Sequence, residues 1–300
     1  MAGTAIRTDM IAANGLTFET AICGDGARFA LLLHGFPETN FSWRHQMPLL
    51  ADMGYTVWAP NLRGYGRSSM PEGVDNYHID RLTADVAGLI DARGAAQTLL
   101  IGHDWGGLIA WVFAIKTLRP LSELIVLNIP HPACMDRELR GSWDQRRRSW
   151  YALAFQIPRL PEWGLTRNGA AAVRKAFTDM AVDKARFPDA ATDPFAENAL
   201  RPGGMTAMMN YYRAAFRTGI APFSPGDGKT GVRTLLIWGE EDSALSKATT
   251  YGTHAYVPDL TIRYLPGVSH WVQQEAPETV NAMIRAFVTG NPVPEASALR

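Results

Sequence analysis

The apolar residues of this chain fall into two kinds of run, and the two alternate. Short, almost wholly apolar runs that close in a glycine or a polar turn stand at "FALLLHG" (29–35) and "TVWAPNLRG" (56–64), as expected of strands buried on both faces. "IDRLTADVAGLIDARG" (79–94) instead places Leu82, Val86, Leu89 and Ile90 at helical spacing and stops at a glycine. "QTLLIGHD" reads as a strand running into a turn, "GGLIAWVFAIKTLRP" as a strongly apolar helix ended by Arg119-Pro120, and "LSELIVLNIP" as the next strand. This repetition of strand and helix predicts a parallel sheet with helices on both faces.

The rhythm stops at about His131. From there to about Gly231 no segment reads as a strand, and tryptophans, arginines, prolines and helical spacings fill the stretch. Strand patterns return at "VRTLLIWGEED" (232–242) and "LTIRYLPG" (260–267), and "APETVNAMIRAFVTG" reads as a closing helix. The expected organisation is one α/β core, residues 1–130 and 232–300, with residues 131–231 inserted as a helical cap after the sixth strand. The last stretch, "NPVPEASALR", is expected to be a loose tail.

Composition narrows the function. The chain has 300 residues, 47% hydrophobic and 19% charged, an ordinary globular balance with ample material for a core. Its 29 basic and 29 acidic residues cancel, so nothing in the net charge favours nucleic acid or an anionic membrane. Arg146-Arg147-Arg148, the one dense basic cluster, reads as a solvated helix face. Two distant cysteines, Cys23 and Cys134, make neither a disulfide framework nor a structural zinc site. The start has no apolar signal core, and no run of roughly 18 apolar residues suggests a membrane span. A soluble cytoplasmic protein is expected.

The candidate chemistry begins at "GHDWG" (102–106). A nucleophile held between strand and helix needs a sharp bend with small neighbours, which Gly102 and Gly106 supply. The helix that follows points free N–H groups at that position. Taken alone, Asp104 could equally be a helix N-cap. Other strand ends carry matching groups. "HGFPE" (34–38) follows the third strand, and the amides of Phe36 and Trp105 are the natural pair for an oxyanion hole. Asp242 lies just past the next-to-last strand, with Glu240 and Glu241 as competitors, and His270 follows the last. Asp104, Asp242, His270 is the nucleophile–acid–base order of the α/β-hydrolase fold.

An aspartate with a pKa of about 4 is already an anion at neutral pH. It needs no base to attack, and it is suited to displacing a leaving group from an alkyl carbon. The product is an alkyl ester on Asp104, which a water activated by His270 can hydrolyse. A departing alkoxide needs an acid, and paired phenols, with a pKa of about 10, fit that role.

With "HGFPE", "GHDWGG", "GEED" and "SHW" in this order, the chain resembles, over nearly its whole length, the α/β-hydrolase epoxide hydrolases of the soluble and microbial type. The resemblance implies an α/β-hydrolase fold, a mostly parallel eight-stranded sheet with a helical cap. It selects Asp242 as the acid that orients His270. In the cap stretches "SWYALAFQIP" and "MNYYRAAFR" it implies Tyr151 and Tyr212 as ring-opening acids, with Tyr211 standing where a tryptophan is often found. Asn128, where some relatives keep an alternative acid, is an amide. The implied partners are a small hydrophobic epoxide and water, without metal or organic cofactor, nucleic acid or membrane, and with a homodimer as the assembly allowed.

Two rival readings stand beside this one. A haloalkane dehalogenase would share Asp104 and use Trp105 as a halide donor; its second donor, often an asparagine, is replaced by Phe36, so a cap tryptophan (Trp143, Trp150 or Trp163) would have to serve. A non-catalytic small-molecule receptor on the same fold would carry a damaged triad. For His34 and His103 a structural role, holding loops at strand ends, is expected.

Overall fold

The computed structural model describes residues 5–219 and 227–299. The described residues form an eight-stranded sheet in the order β1-β2-β4-β3-β5-β6-β7-β8. The strands are β1 (Arg7–Ala13), β2 (Leu16–Cys23), β3 (Arg28–Leu33), β4 (Tyr55–Pro60), β5 (Thr98–His103), β6 (Leu121–Leu127), β7 (Thr234–Gly239) and β8 (Leu260–Leu265). β2 pairs antiparallel with both β1 and β4; all other pairings are parallel.

The central strands β3, after its exposed first residue Arg28, and β5 are buried throughout because alternate residues feed two separate cores. Phe29, Leu31 and Leu33 of β3 point into one, with helices α2 (Ile79–Arg93) and α3 (Asp104–Ile115). Ala30 and Leu32 point into the other, with α1 (Gln46–Asp52) and α11 (Pro277–Val288). Period-two alternation between two apolar layers is what an unbroken hydrophobic run encodes in a covered sheet.

Two elements differ from the sequence expectation or were absent from it. β1 and β2 form a hairpin that the apolar runs do not announce, since β1 is largely exposed. Its signature is the turn Asn14-Gly15, both at positive φ, the pairing that matches the right-handed twist of a two-residue hairpin. The C-terminal stretch is not a loose tail. Val293 and Ala296 are buried, and the Arg263 side chain donates to the carbonyls of Val293 and Pro294. Residues 1–4, part of the start searched for a signal core, and Arg300 lie outside the described residues.

After β6 the chain runs through α4 (Pro132–Gly141), α5 (Trp143–Arg148), α6 (Trp150–Ala154), α7 (Leu160–Met180), α8 (Asp189–Leu200) and α9 (Gly204–Thr218) before β7. α7 is two helical pieces joined by a kink at Arg167, Asn168, Gly169 and Ala170. Short α10 (Val272–Glu275) precedes α11. Among the described residues no helix is long and apolar enough to cross a membrane.

The strand order places the site. The chain moves outward from β3 to β4, then crosses back to put β5 on the other side of β3. At such a switch point the loops leaving the two strands diverge and open a crevice at their C-terminal ends. The loops leaving β3 and β5 carry residues 34–38 and Asp104.

Two buried histidines, His34 after β3 and His131 after β6, hold loops in neutral form. His34 donates from Nδ1 to the Gly35 carbonyl and accepts at Nε2 from the Leu62 amide, which fixes one tautomer. His131 accepts at Nδ1 from Ala133 and donates from Nε2 to Gly228. Burial holds both well below the usual imidazole range, at about 4. A folded-state pKa depressed from 6.5 leaves the unfolded chain binding more protons between pH 6.5 and 4. Stability is therefore complete above pH 6.5 and lost on acidification, by about 3 kcal/mol per histidine. Urea unfolding at pH 7 and pH 4.5 checks this: His131→Gln is expected to lose less stability than the native chain over that interval.

Candidate active site

Asp104 opens α3 with φ at +47°, a conformation that costs a non-glycine residue about 1–3 kcal/mol. Neighbours without side chains make the turn possible. A Cβ on Gly106 would lie 2.1 Å from the Leu33 carbonyl oxygen, and one on Gly35 would lie 2.5 Å from the Asp104 Cβ. The carboxylate does not cap the helix: the N-cap position is His103, which makes no side-chain capping bond. Asp104 points into the crevice instead. Its Oδ1 accepts the Phe36 N–H at 2.8 Å, and its Oδ2 faces His270 Nε2 at 3.7 Å. The Trp105 amide follows in the first turn of α3, where amides lack intrahelical acceptors.

On the far side of His270, Nδ1 donates to Asp242 Oδ2 at 2.6 Å. Asp242 Oδ1 accepts the amides of Ala244 and Leu245 at 2.8 and 2.9 Å. Glu240 is engaged elsewhere, paired with Lys247. Burial disfavours the charged His270 ring, but Asp242 and its hydrogen bond, then Asp104 and Glu38, outweigh it and hold the ring at about 9. Burial likewise raises the Asp242 carboxyl, and His270 and Asn128 more than reverse this, leaving it below its ordinary value.

Two residues support Asp242, a role the sequence assigned to neither. Asn128 donates to Asp242 Oδ2 at 2.8 Å and accepts the Gly239 amide at 2.8 Å, stitching β6 to the loop after β7. Arg148 donates to the Asp242 carbonyl at 2.8 Å and is paired with Asp144. Within the arginine cluster, then, only Arg146 and Arg147 are exposed.

Glu38 is the other residue that pattern reading passes over. It is fully buried. Its Oε2 accepts the Gly35 amide and His103 Nδ1, each at 2.8 Å, and its Oε1 accepts the side-chain amides of Gln273 and Gln274 at 2.9 and 2.8 Å. His103 Nε2 donates in turn to the His270 carbonyl at 2.9 Å. Burial pushes the Glu38 carboxyl up, but His103 and the Gly35 amide bring it below its usual value. A charged group in an apolar "HGFPE" turn was the available clue, since a buried carboxylate must be fully hydrogen-bonded.

Above Asp104 lies a cavity of about 820 Å³, lined by Asp104, Trp105 and Leu108 from the core and by Tyr151 and Tyr212 from α6 and α9. The two tyrosine rings meet edge to face at 5.9 Å between centroids. Tyr212 packs against Trp105 and Phe36 at 5.0 and 5.2 Å. Desolvation first, then the Asp104 charge, raises both phenols above their usual range, so both are protonated donors at neutral pH. Tyr211, the neighbour, faces away: it is buried, and its hydroxyl donates to the Arg63 carbonyl at 2.9 Å. The structure thus brings together Asp104, Phe36, Trp105, His270, Asp242, Tyr151 and Tyr212. Trp143, Trp150 and Trp163, the tryptophans open to a halide-binding role, are 76%, 66% and 59% exposed. That is a poor setting for stabilising an anion beside Asp104, because water would screen the interaction.

Comparison with known proteins agrees with this architecture. A family model described as alpha/beta hydrolase fold matches residues 31–277. An AB hydrolase superfamily protein of Bacillus subtilis is 36% identical over 94% of this chain and 98% of its own length. Epoxide hydrolase 4 of Mus musculus is 36% identical over 92% of this chain and 77% of its own. The crystal structure of a Bacillus megaterium epoxide hydrolase in complex with an inhibitor superposes with a TM-score of 0.86 at 30% identity, covering 94% of this chain and all of that one.

Because Asp242 is what sustains the charged ring against burial, Asp242→Asn is expected to drop the His270 pKa from about 9 to below 6.5. Histidine ¹⁵N chemical shifts recorded across pH 5–10 check this.

Proposed function

This chain belongs to the alpha/beta hydrolase fold family, and we propose that it is an epoxide hydrolase, with residues 131–231 as the cap over the site. The observation that carries the reading is the division of labour around Asp104. One oxygen is held by the Phe36 amide, the other faces His270, and two phenols look into the same cavity.

Asp104 Oδ2 attacks a ring carbon of the epoxide. The C–O bond breaks, and the departing oxygen takes a proton from Tyr151 or Tyr212, leaving a hydroxyalkyl ester on Asp104. Forming that ester removes the negative charge of Asp104, one of the charges that keep His270 protonated. The ring therefore loses part of the support for its proton as the intermediate appears; that proton passes to the phenolate left by ring opening, which restores the tyrosine, and Nε2 becomes a base for the second step. A water deprotonated there attacks the Asp104 carbonyl carbon. The developing oxyanion is Oδ1, already seated on the Phe36 amide, with the Trp105 amide as second donor. Collapse expels the alkoxide, which takes the remaining water proton from the new Asp104 carboxyl and leaves as the diol; the carboxylate is restored, and the proton taken from water stays on Nε2 as in the starting state. Asp242 keeps the ring oriented and balances its charge throughout.

A hydrophobic substrate suits the aromatic cavity wall. The paired phenols favour an alkoxide leaving group over a halide, which would need buried N–H donors in place of acids.

Intact-protein mass spectrometry of His270→Gln, mixed with a simple aryl epoxide, is expected to show a gain equal to the whole epoxide that is absent in Asp104→Asn; a gain from a short haloalkane alone would make the protein a dehalogenase. Replacing Tyr151 or Tyr212 by Phe should slow ring opening roughly 10- to 100-fold, and replacing both should slow it about 10³-fold or more. Single-turnover rates measure this, and normal turnover in the double variant would place the acid elsewhere.

A further inference from the structure

The cavity opens through an exposed aromatic surface. Trp143, Trp150, Leu153 and Phe216 line it and are at the same time 76%, 66%, 60% and 62% exposed, so they form its rim, with Arg146 and Arg147 beside them. The apolar character continues along the chain through Ile157, Leu160 and Trp163, all exposed. Arg213 of α9 ties this connector down, donating to the Phe155 and Ile157 carbonyls and pairing with Glu162. Single exposed apolar residues are ordinary, but tryptophans grouped around a pocket mouth are not.

Charge separates this surface further. Between residues 140 and 167 five arginines are exposed (Arg140, Arg146, Arg147, Arg159 and Arg167) and no carboxylate is; Arg140 and Arg147 are ion-paired, with Asp136 of the cavity wall and with Asp144, so Arg146, Arg159 and Arg167 are the exposed ones without an ion pair among the described residues. Asp144 and Glu162, the acidic residues of that stretch, are partly covered and paired with arginines. The net charge of zero for the whole chain conceals this asymmetry.

We infer that the rim of the cap docks on an anionic lipid bilayer, with its tryptophans at headgroup level and its arginines on the lipid phosphates. Indole rings favour the boundary between water and hydrocarbon, and arginine is drawn to an anionic leaflet. A bilayer also suits the position of the mouth. A folded protein partner seated there would seal the cavity, whereas a membrane would deliver an apolar substrate straight into it. That last point rests on the epoxide reading; the docking does not.

Co-sedimentation with vesicles of phosphatidylcholine and phosphatidylglycerol (70:30) tests the inference, against pure phosphatidylcholine as control. The native chain is expected to bind the anionic vesicles and to be released by salt. Arg159→Glu with Arg167→Glu, or Trp163→Gln, none of them in the cavity wall, should each weaken binding roughly tenfold or more. Hydrolysis of a small water-soluble epoxide should stay unchanged in these variants, which shows that fold and site are intact. No binding by the native chain, or equal binding to both vesicle types that ignores the charge reversals, overturns the proposal. So does self-association in sedimentation velocity, abolished by Trp163→Gln, without vesicle binding; a second copy would then cover the surface. Loss of epoxide turnover in the native chain with vesicle binding retained would overturn the catalytic reading and leave the docking surface standing.

Discussion

The site depends on one buried carboxylate. Glu38 reaches from the loop after β3 to the strand end that precedes Asp104, through His103, and to α10 beyond His270, through Gln273 and Gln274. It also holds the amide of Gly35, one residue before the Phe36 N–H that seats Asp104. A loop, a strand end and a helix from distant parts of the chain are thereby fixed to a single anion. Burying that anion would be costly if any of its four bonds were missing, so the three segments are positioned together or not at all.

The candidate site residues were legible in the sequence while their supports were not. Asp104, Asp242 and His270 stand in a set order at strand ends, each next to a glycine or a turn, and the apolar runs that precede them locate those ends. Asn128 and Arg148 support Asp242 across 114 and 94 residues of sequence. Contacts of that span leave no local pattern, and a surface arginine cluster gives no hint that one member turns inward. The hairpin of β1 and β2 was missed for another reason. Its outer strand is solvated, so the apolar pattern is faint and only the Asn14-Gly15 turn speaks for it. The tail misled because Pro and Ala next to polar residues look solvated, although Val293 and Ala296 pack onto the sheet.

The inserted helices show how neighbouring side chains divide their work. Tyr211 is committed to the core, bonded to the Arg63 backbone; Arg63 is itself locked to Asp85 in a buried, bidentate ion pair. That anchorage fixes the register of α9, and the next residue, Tyr212, is left facing Asp104. The periodicity of α9 offers both tyrosines on adjacent positions, and only the resemblance to known epoxide hydrolases distinguished the two.

Because Phe36 pins one oxygen of Asp104, the two oxygens of that carboxylate have different histories in the proposed reaction. Oδ2 departs inside every diol, and an oxygen from water takes its place. Oδ1, held on the amide, stays for the lifetime of the molecule. Each product therefore carries the oxygen of the water consumed one cycle earlier, and the first product carries an atom the enzyme was synthesised with. The protein keeps a memory one turnover deep, stored in a single atom.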